Sequence, residues 1–317
     1  MATFSLDDMR AVCKGRDAWW TVFLVDPVAI RLALPIANRT SITPNQLTAV
    51  AFAFGLAAAG CFALAAPGWL ALGALLYHVG FVVDCMDGKI ARLKGTGTTF
   101  GAWLDFMLDR VRDSLCAVAL TGGQYARTGQ VAYLYAGMAV LALDMFRYVN
   151  GPQIVKARRA MRTATAAARR RAAAVAEGDP RMAVLGGQGH RVVTLGGGEG
   201  RVEEPEAEFG RTPHPDPHYV FDTRWPWYRR IRQGLLRRRV RTHLVSGIEF
   251  QMSVFILGPL TGAIIPIIVV TGALLVFFEL VIIYKFWLST RAHTRLLAVL
   301  EAGSRPVTDP ARSPLPR

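Results

Sequence analysis

Long apolar runs of helical length alternate along the chain with short polar or charged stretches. The run from Leu47 to Ala66 has no charged residue over 20 positions, and 20 helical residues span about the 30 Å of a bilayer's hydrocarbon core. Further apolar runs follow it. The pattern predicts six transmembrane helices at about 44–66, 69–92, 98–120, 131–149, 245–261 and 264–287. The predicted fold class is therefore all-α, as a polytopic membrane protein.

The polar segments define the remaining domains. Residues 16–38 mix apolar runs with charges and begin with Trp19 and Trp20, which is typical of an interfacial amphipathic helix. The predicted domains are an N-terminal cytoplasmic and interfacial arm, helices 1–4 with the polar motif, a long cytoplasmic insert between helices 4 and 5, helices 5–6, and a cytoplasmic tail. Their bounds are 1–43, 44–150, 151–244, 245–290 and 291–317.

The insert is expected to have three parts. Residues 156–177 are rich in Ala and Arg and could be helical, whereas 178–217 are rich in Gly, Pro and acids and favour disorder. Residues 225–243 mix Trp and Leu with Arg, a pattern that suits a helix on an anionic leaflet. Anionic membrane lipids are therefore expected partners.

Charge supports this topology. The net charge is +14, and residues 151–245 hold 19 Lys or Arg against nine Asp or Glu. Basic residues concentrate on one side of the predicted helices, while the connections on the other side contain only Arg127. The positive-inside rule then predicts a multi-pass protein of the cytoplasmic membrane, with both termini facing the cytoplasm. No nucleic-acid partner is expected, because no zinc spacing or RNA-binding signature accompanies the charge.

Four aspartates stand out at the ends of predicted helices 2 and 3. Asp84 and Asp87 share one helix face, and Asp105 and Asp109 share another. A short turn joins the two helices, so the faces can meet. Ionised carboxylates are costly within a span and repel each other, and one or two divalent cations would neutralise them. Mg²⁺ or Mn²⁺ suits such hard oxygen ligands. The site would then face the cytoplasm.

A resemblance extends this interpretation. The stretch "DCMDGKIARLKGTGTTFGAWLDFMLD", residues 84–109, matches the signature D-x2-D-G-x2-A-R-x8-G-x3-D-x3-D, and "TPNQLT" at 43–48 matches a P-N-x-x-T element. The chain thus resembles the CDP-alcohol phosphotransferase family, also called CDP-alcohol phosphatidyltransferases. The resemblance covers residues 40–150 well and the last two helices only in hydropathy.

The resemblance implies a function and a set of site residues. It implies transfer of a phosphatidyl-type group from a CDP-linked lipid, such as CDP-diacylglycerol, to the hydroxyl of a polar alcohol, with release of CMP, in phospholipid biosynthesis. Two metal ions would bind to four aspartates, and Asp105 and Asp109 would be catalytic, with Asp109 as the base. The metal ligands would be Asp84, Asp87, Asp105 and Asp109. The CDP-binding residues would be Asn45, Thr48, Gly88, Ala91, Arg92 and Gly101.

Basic residues at the predicted cytoplasmic mouth are candidates for acceptor binding. Arg147, Arg158 and Arg241 could bind an acceptor that carries a phosphate, such as glycerol phosphate or inositol phosphate. Their alternative role is to fix topology. A homodimer is a further expectation, because family members often pair.

Other polar residues have structural interpretations. Asp113 beside Arg110 and Arg112 predicts a structural ion pair, and His78 predicts an interhelical hydrogen bond. The four cysteines lack paired spacing, so no disulfide is expected.

Two other functions are compatible with parts of the pattern. An aspartate-rich intramembrane prenyltransferase also binds diphosphate through Mg²⁺, but it would need two separate aspartate-rich motifs, and this chain has one cluster. A non-catalytic membrane scaffold would use the charged insert to recruit a partner.

Overall fold

The computed structural model describes residues 3–176, 233–241 and 244–303, and the structure within these ranges is helical. The one exception there is an isolated bridge between Asp17 and Val240. The all-α prediction is confirmed. The helices are α1 Leu6–Ala11, α2 Asp26–Arg39, α3 Pro44–Leu64, α4 Pro67–Lys94, α5 Thr99–Thr128, α6 Ala132–Ala176, α7 Gly247–Thr261 and α8 Ile264–Gly303. A π-helical turn, Thr21–Val25, precedes α2, and another, Ser253–Leu257, interrupts α7.

Four helical segments of the described residues are long and apolar enough to cross a membrane. They are Thr21–Arg39, Pro44–Leu64, Pro67–Lys94 and Ile264–Ala302. The first is the segment expected to be interfacial. The predicted spans in α5, α6 and α7 are outside this set. The first half of α5 carries five charged residues, α6 carries Asp144 and Arg147, and α7 is short.

Capping residues determine where the helices of the site begin. Thr43 caps α3, since its hydroxyl accepts from the Gln46 amide while the Gln46 side chain accepts from the Thr43 amide. Pro44 occupies the first turn, where its missing N–H has no helical partner to lose. Thr98 caps α5 by accepting from the Gly101 amide at 3.0 Å. The signature residues therefore lie at helix ends.

Glycines let α3 approach α4 and α5 closely. A Cβ on Gly80 of α4 would lie 3.2 Å from the Ala51 carbonyl oxygen, and one on Gly123 of α5 would lie 2.7 Å from the carbonyl oxygens of Phe62 and Ala63. The contacts at Gly123 exclude a larger side chain, and those at Gly80 are tighter than an ordinary van der Waals contact. As a result, α3 packs directly against both helices that carry the aspartates.

Helices α6 and α8 are longer than the spans predicted within them. At 1.5 Å per residue, the 45 residues of α6 extend about 68 Å and the 40 residues of α8 about 60 Å, each roughly twice the hydrocarbon thickness. The two helices pack together, and beyond the apolar part buried Thr165 and His293 lie within hydrogen-bonding distance, at 3.1 Å. The Ala/Arg segment, which the sequence suggests could be helical, is the continuation of α6 through Pro152 to Ala176.

Several predictions fall outside the described residues. These are the disorder of 178–217, most of the interfacial helix at 225–243, and the tail from residue 304 onward.

Candidate active site

The four aspartates lie where α4 ends and α5 begins. Gly95, with φ of 63°, ends α4 in the left-handed conformation that glycine adopts without strain. The short turn that follows returns the chain so that the last turns of α4 face the first turns of α5. Asp84 and Asp87 are therefore on the same side of the molecule as Asp105 and Asp109.

Three of the four aspartates converge. One carboxylate oxygen from each of Asp84, Asp105 and Asp109 lies within 4.8 Å of the other two. Only hard oxygen ligands meet at this point, which suits Mg²⁺ or Mn²⁺. The sequence-based expectation of an acidic cluster across two helices therefore agrees with this geometry.

Asp87 has a different environment from the other three. It is 4% exposed, and its Oδ2 accepts a short hydrogen bond from the hydroxyl of Thr48 on α3. Thr48 also bonds to the Pro44 carbonyl. The P-N-x-x-T element thus contacts the aspartate cluster directly.

A cleft of about 180 Å³ opens beside the cluster. All four aspartates and Arg92 line it, together with residues from the N-terminal arm, α6 and α7. The other lining residues include Lys14, Asp17, Asp26, Lys89, Arg110, Arg112, Tyr148 and Gln251. The cleft therefore combines the carboxylates of the cluster with basic and polar side chains.

A smaller cavity of about 60 Å³ adjoins the cleft, and Asp87, Gly88 and Asp105 line both. Five of the six residues expected to bind CDP line this cavity: Asn45, Thr48, Gly88, Ala91 and Gly101. The sixth, Arg92, lines the larger cleft, and its Nε donates to the Val12 carbonyl at 2.7 Å. Apart from Arg92, the signature residues without a carboxylate therefore surround one space next to the acids.

The arm and the end of the insert meet beside the cleft. The Asp17 amide donates to the Arg239 carbonyl at 2.8 Å, and the Arg241 amide donates to the Asp17 carbonyl at 3.0 Å. The Arg239 guanidinium donates to the Lys14 carbonyl. Asp26 forms a buried ion pair with Lys89 of α4 at 2.9 Å.

A buried polar network lies behind the acids. Asp113 pairs with Arg110 at 2.8 Å and with Arg112 at 3.2 Å, so the predicted ion pairs are present. It also accepts hydrogen bonds from Tyr77 and Gln251, each at 2.8 Å. Since these donors come from α4, α5 and α7, Asp113 connects the helices around the cleft.

His78 lies away from this network. Its Nδ1 is buried and has no hydrogen-bond partner among the described residues, and its ring packs edge-on against Trp20 at 6.3 Å. That atom does not make the interhelical hydrogen bond that we expected.

The three predicted acceptor-binding residues do not line either cavity. Arg147 lies 3.7 Å from Glu279 of α8, and the Arg241 guanidinium lies 3.7 Å from Asp17, itself a cleft residue. Arg158 lies farther along α6.

Several cleft residues were not identified from the sequence. Tyr148 and Gln251 are in apolar runs and have no motif around them. The position of Arg112 near the cluster could have been predicted, because Arg112 follows Asp109 by three residues and so shares its helix face.

Comparison with known proteins identifies a domain. Residues 41–176 match the family described as CDP-alcohol phosphatidyltransferase. Over 116 residues the chain is 34% identical to an archaetidylinositol phosphate synthase of Methanothermobacter thermautotrophicus, covering 36% of this chain and 57% of that protein. Over 98 residues it is 37% identical to a phosphatidylinositol phosphate synthase of Corynebacterium glutamicum, covering 31% and 42%.

The shared region spans about half the length of these two relatives. The family match at residues 41–176 contains α3, α4, α5 and α6 and therefore every aspartate of the cluster. Residues 41–176 therefore form a domain that matches the CDP-alcohol phosphatidyltransferase family.

Proposed function

We propose that this protein transfers a phosphatidyl-type group from a CDP-linked lipid to the hydroxyl of a polar alcohol and releases CMP. The observation that carries the proposal is the convergence of Asp84, Asp105 and Asp109 within 4.8 Å, beside a cavity lined by the other signature residues except Arg92. An acidic cluster alone would be ambiguous. Its position next to a cavity lined by Asn45, Thr48 and Gly101 supports this reaction.

Residues of the cleft and of the smaller cavity have chemical roles in the proposed reaction. Asp109 takes the proton of the acceptor hydroxyl, whose oxygen attacks the β-phosphorus of the CDP-lipid. A new P–O bond forms between the acceptor oxygen and the β-phosphorus, the P–O bond to CMP breaks, and the configuration at phosphorus is inverted. Arg92, at the edge of the cleft, offsets charge on the leaving CMP. Asn45 and Gly101 bound the nucleotide side of the cavity.

The metal-binding residues would be Asp84, Asp87, Asp105 and Asp109, with Asp105 also contributing to catalysis. Two divalent ions, Mg²⁺ or Mn²⁺, would offset the charge that develops on the phosphoryl oxygens. The three convergent carboxylates support at least one such site. The Oδ2 atom of Asp87 accepts a hydrogen bond from the Thr48 hydroxyl. To bind a metal ion, Asp87 would either rotate away from Thr48 or use its Oδ1 atom.

The donor is proposed to be CDP-diacylglycerol and the acceptor a phosphorylated polyol. Two relatives are named for inositol phosphate products, one with an archaetidyl and one with a phosphatidyl group. Basic residues at the cleft, among them Lys14, Lys89 and Arg110, suit an acceptor with its own phosphate. Arg147, Arg158 and Arg241 are proposed to help attract it rather than to form its pocket.

The proposed location is the cytoplasmic membrane, with six spans and with the termini and cleft on the cytoplasmic side. The asymmetric distribution of Lys and Arg among the connections supports this orientation. The Arg-rich end of the insert is proposed to contact anionic lipids, and two copies of the chain are proposed to pair.

A CMP-release assay tests the proposal. Purified protein, supplied with CDP-diacylglycerol, Mg²⁺ and a panel of polyol phosphates, should release CMP and form a new lipid that mass spectrometry identifies. Asp109→Asn should lower the rate about 100-fold or more, because it removes the base. EDTA should abolish release, and added Mg²⁺ or Mn²⁺ should restore it.

The matched control is Asp7→Asn, since Asp7 is an exposed aspartate paired with Arg10 on α1. It should keep the wild-type rate. Metal-independent release, or full activity in Asp109→Asn, would contradict the proposal. A scaffold would release no CMP, and a prenyltransferase would not use CDP-lipids.

A further inference from the structure

A buried arginine closes the inner side of the acidic cluster. Arg112 is 4% exposed, and its Nη1 lies 2.9 Å from Asp109 Oδ1 and 4.0 Å from Asp84 Oδ1. Arginine keeps its charge at any relevant pH. The cluster therefore has a permanent cation beside it, in a buried part of the cleft.

The position of Arg112 is fixed by contacts on every side. Its Nε lies 3.2 Å from Asp113, and the guanidinium lies 5.5 Å from the centre of the Tyr77 ring. Asp113 is itself held by Arg110, Tyr77 and Gln251. A guanidinium held this firmly can hold a carboxylate in turn.

Helix α3 leaves space for this side chain. A Cβ on Gly55 would overlap Cγ and Cδ of Arg112, so only glycine accommodates the arginine in this position. This requirement links a residue of α3, 57 positions earlier in the chain, to the geometry of the cluster on α5.

We infer that Arg112 is a positioning residue, which binds one carboxylate oxygen of Asp109 and so directs the other toward the metal ligands Asp84 and Asp105. This inference rests on the proposed function. Removal of a group that orients a metal ligand typically costs 10-fold to 100-fold in metal affinity or activity. Arg112 acts through Asp109 and need not contact substrate.

Mn²⁺ binding tests the inference without turnover. Electron paramagnetic resonance of the purified full chain would give the Mn²⁺ dissociation constant of wild type, Arg112→Met and Arg112→Lys. We expect about a 10-fold weaker affinity in Arg112→Met. Arg112→Lys should recover part of it, because an ammonium keeps the charge but lacks the planar fork. Steady-state assays should show kcat lowered at least 10-fold in Arg112→Met, with KM for the CDP-lipid changed less than about threefold.

Two further variants control for folding. Gly55→Ala keeps the arginine but displaces it, and should weaken Mn²⁺ binding in the same direction, so the inference stays testable if Arg112→Met does not fold. Arg127→Met makes the same substitution at the other end of α5, where Arg127 donates to the Ala65 carbonyl at 2.7 Å. It should leave Mn²⁺ affinity unchanged.

The outcomes distinguish a failure of the proposed function from a failure of the positioning role of Arg112. If wild type binds no Mn²⁺ and releases no CMP, the proposed function fails and the positioning role fails with it. If wild type does both while Arg112→Met and Gly55→Ala bind Mn²⁺ as tightly as wild type, the positioning role alone is overturned.

Discussion

Gly101 lies where the first turn of α5 meets the first turn of α3. A Cβ at this position would lie 2.7 Å from Asn45 Oδ1 and 3.0 Å from Thr98 Oγ1. Both neighbours line the smaller cavity, and Thr98 also caps α5. A side chain here would push directly on the proposed nucleotide site.

We therefore expect Gly101→Ala to impair use of the donor. The value of kcat/KM for the CDP-lipid should fall about 10-fold, which corresponds to about 1.4 kcal/mol of lost transition-state stabilisation. The KM for the acceptor should change less, since the larger cleft is unaltered. Gly122→Ala on the same helix is the matched control, because nothing lies within 4 Å of the added Cβ. An equal loss in both variants would indicate damage to α5 rather than to the site.

The sequence predicts the acidic cluster because helical spacing alone determines which aspartates share a face. It does not predict that Asp87 bonds to Thr48, since that contact depends on how closely α3 packs against α4. It also does not predict that Tyr148 and Gln251 line the cleft, because these residues come from helices distant in the chain. Local periodicity thus predicts which aspartates share a face, and only packing determines their surroundings.

At the scale of elements, α7 links the N-terminal arm to the rest of the fold. Glu249 is 2% exposed, and its Oε2 accepts from both the amide and the hydroxyl of Ser246, which caps the helix. Its Oε1 accepts from the Trp19 amide at 3.0 Å. One carboxylate therefore caps α7 and holds the arm that lines the cleft.

Substitution of Glu249 should therefore destabilise the protein. Glu249→Ala leaves buried donors unpaired, and we expect the free energy of unfolding to fall by about 1–3 kcal/mol. Thermal unfolding in detergent micelles measures this as a lower midpoint. Ser246→Ala loses part of the cap but keeps the contact with Trp19, so it should be less destabilised. Equal midpoints for the two variants would show that the link to the arm contributes little.

Helix length is the element property that sequence pattern predicts least well. The apolar pattern of α6 ends near residue 149, where the predicted span ends, yet the helix continues to Ala176. Alanine and arginine both favour helix, and packing against α8 supports the extension. Hydropathy therefore locates the apolar part of this helix and not the helix end.

For the whole molecule, charge asymmetry implies one orientation. Helix α4 ends at Lys94, before the turn that leads to α5, whereas the connection after α5 contains Gln130 and no Lys or Arg. If α5 crosses the bilayer as proposed, these two connections lie on opposite sides.

Cysteine accessibility tests the orientation. In a chain whose four native cysteines are replaced by serine, Gln130→Cys should react with a membrane-impermeant maleimide in intact cells. Asp7→Cys on the arm should react only after the cells are opened. Both residues are exposed, so burial does not limit either reaction. Labelling of both sites in intact cells would contradict the proposed topology.

The hydrogen bond from the Trp19 amide to the Glu249 carboxylate has a consequence for the synthesis of the chain. The two residues are 230 positions apart, and a ribosome adds about 5–20 residues per second. The arm thus leaves the ribosome about 10–50 s before the helix that secures it. The wall of the cleft is completed only after Glu249 has been added, so a nascent chain that already contains its four aspartates still lacks a complete cleft.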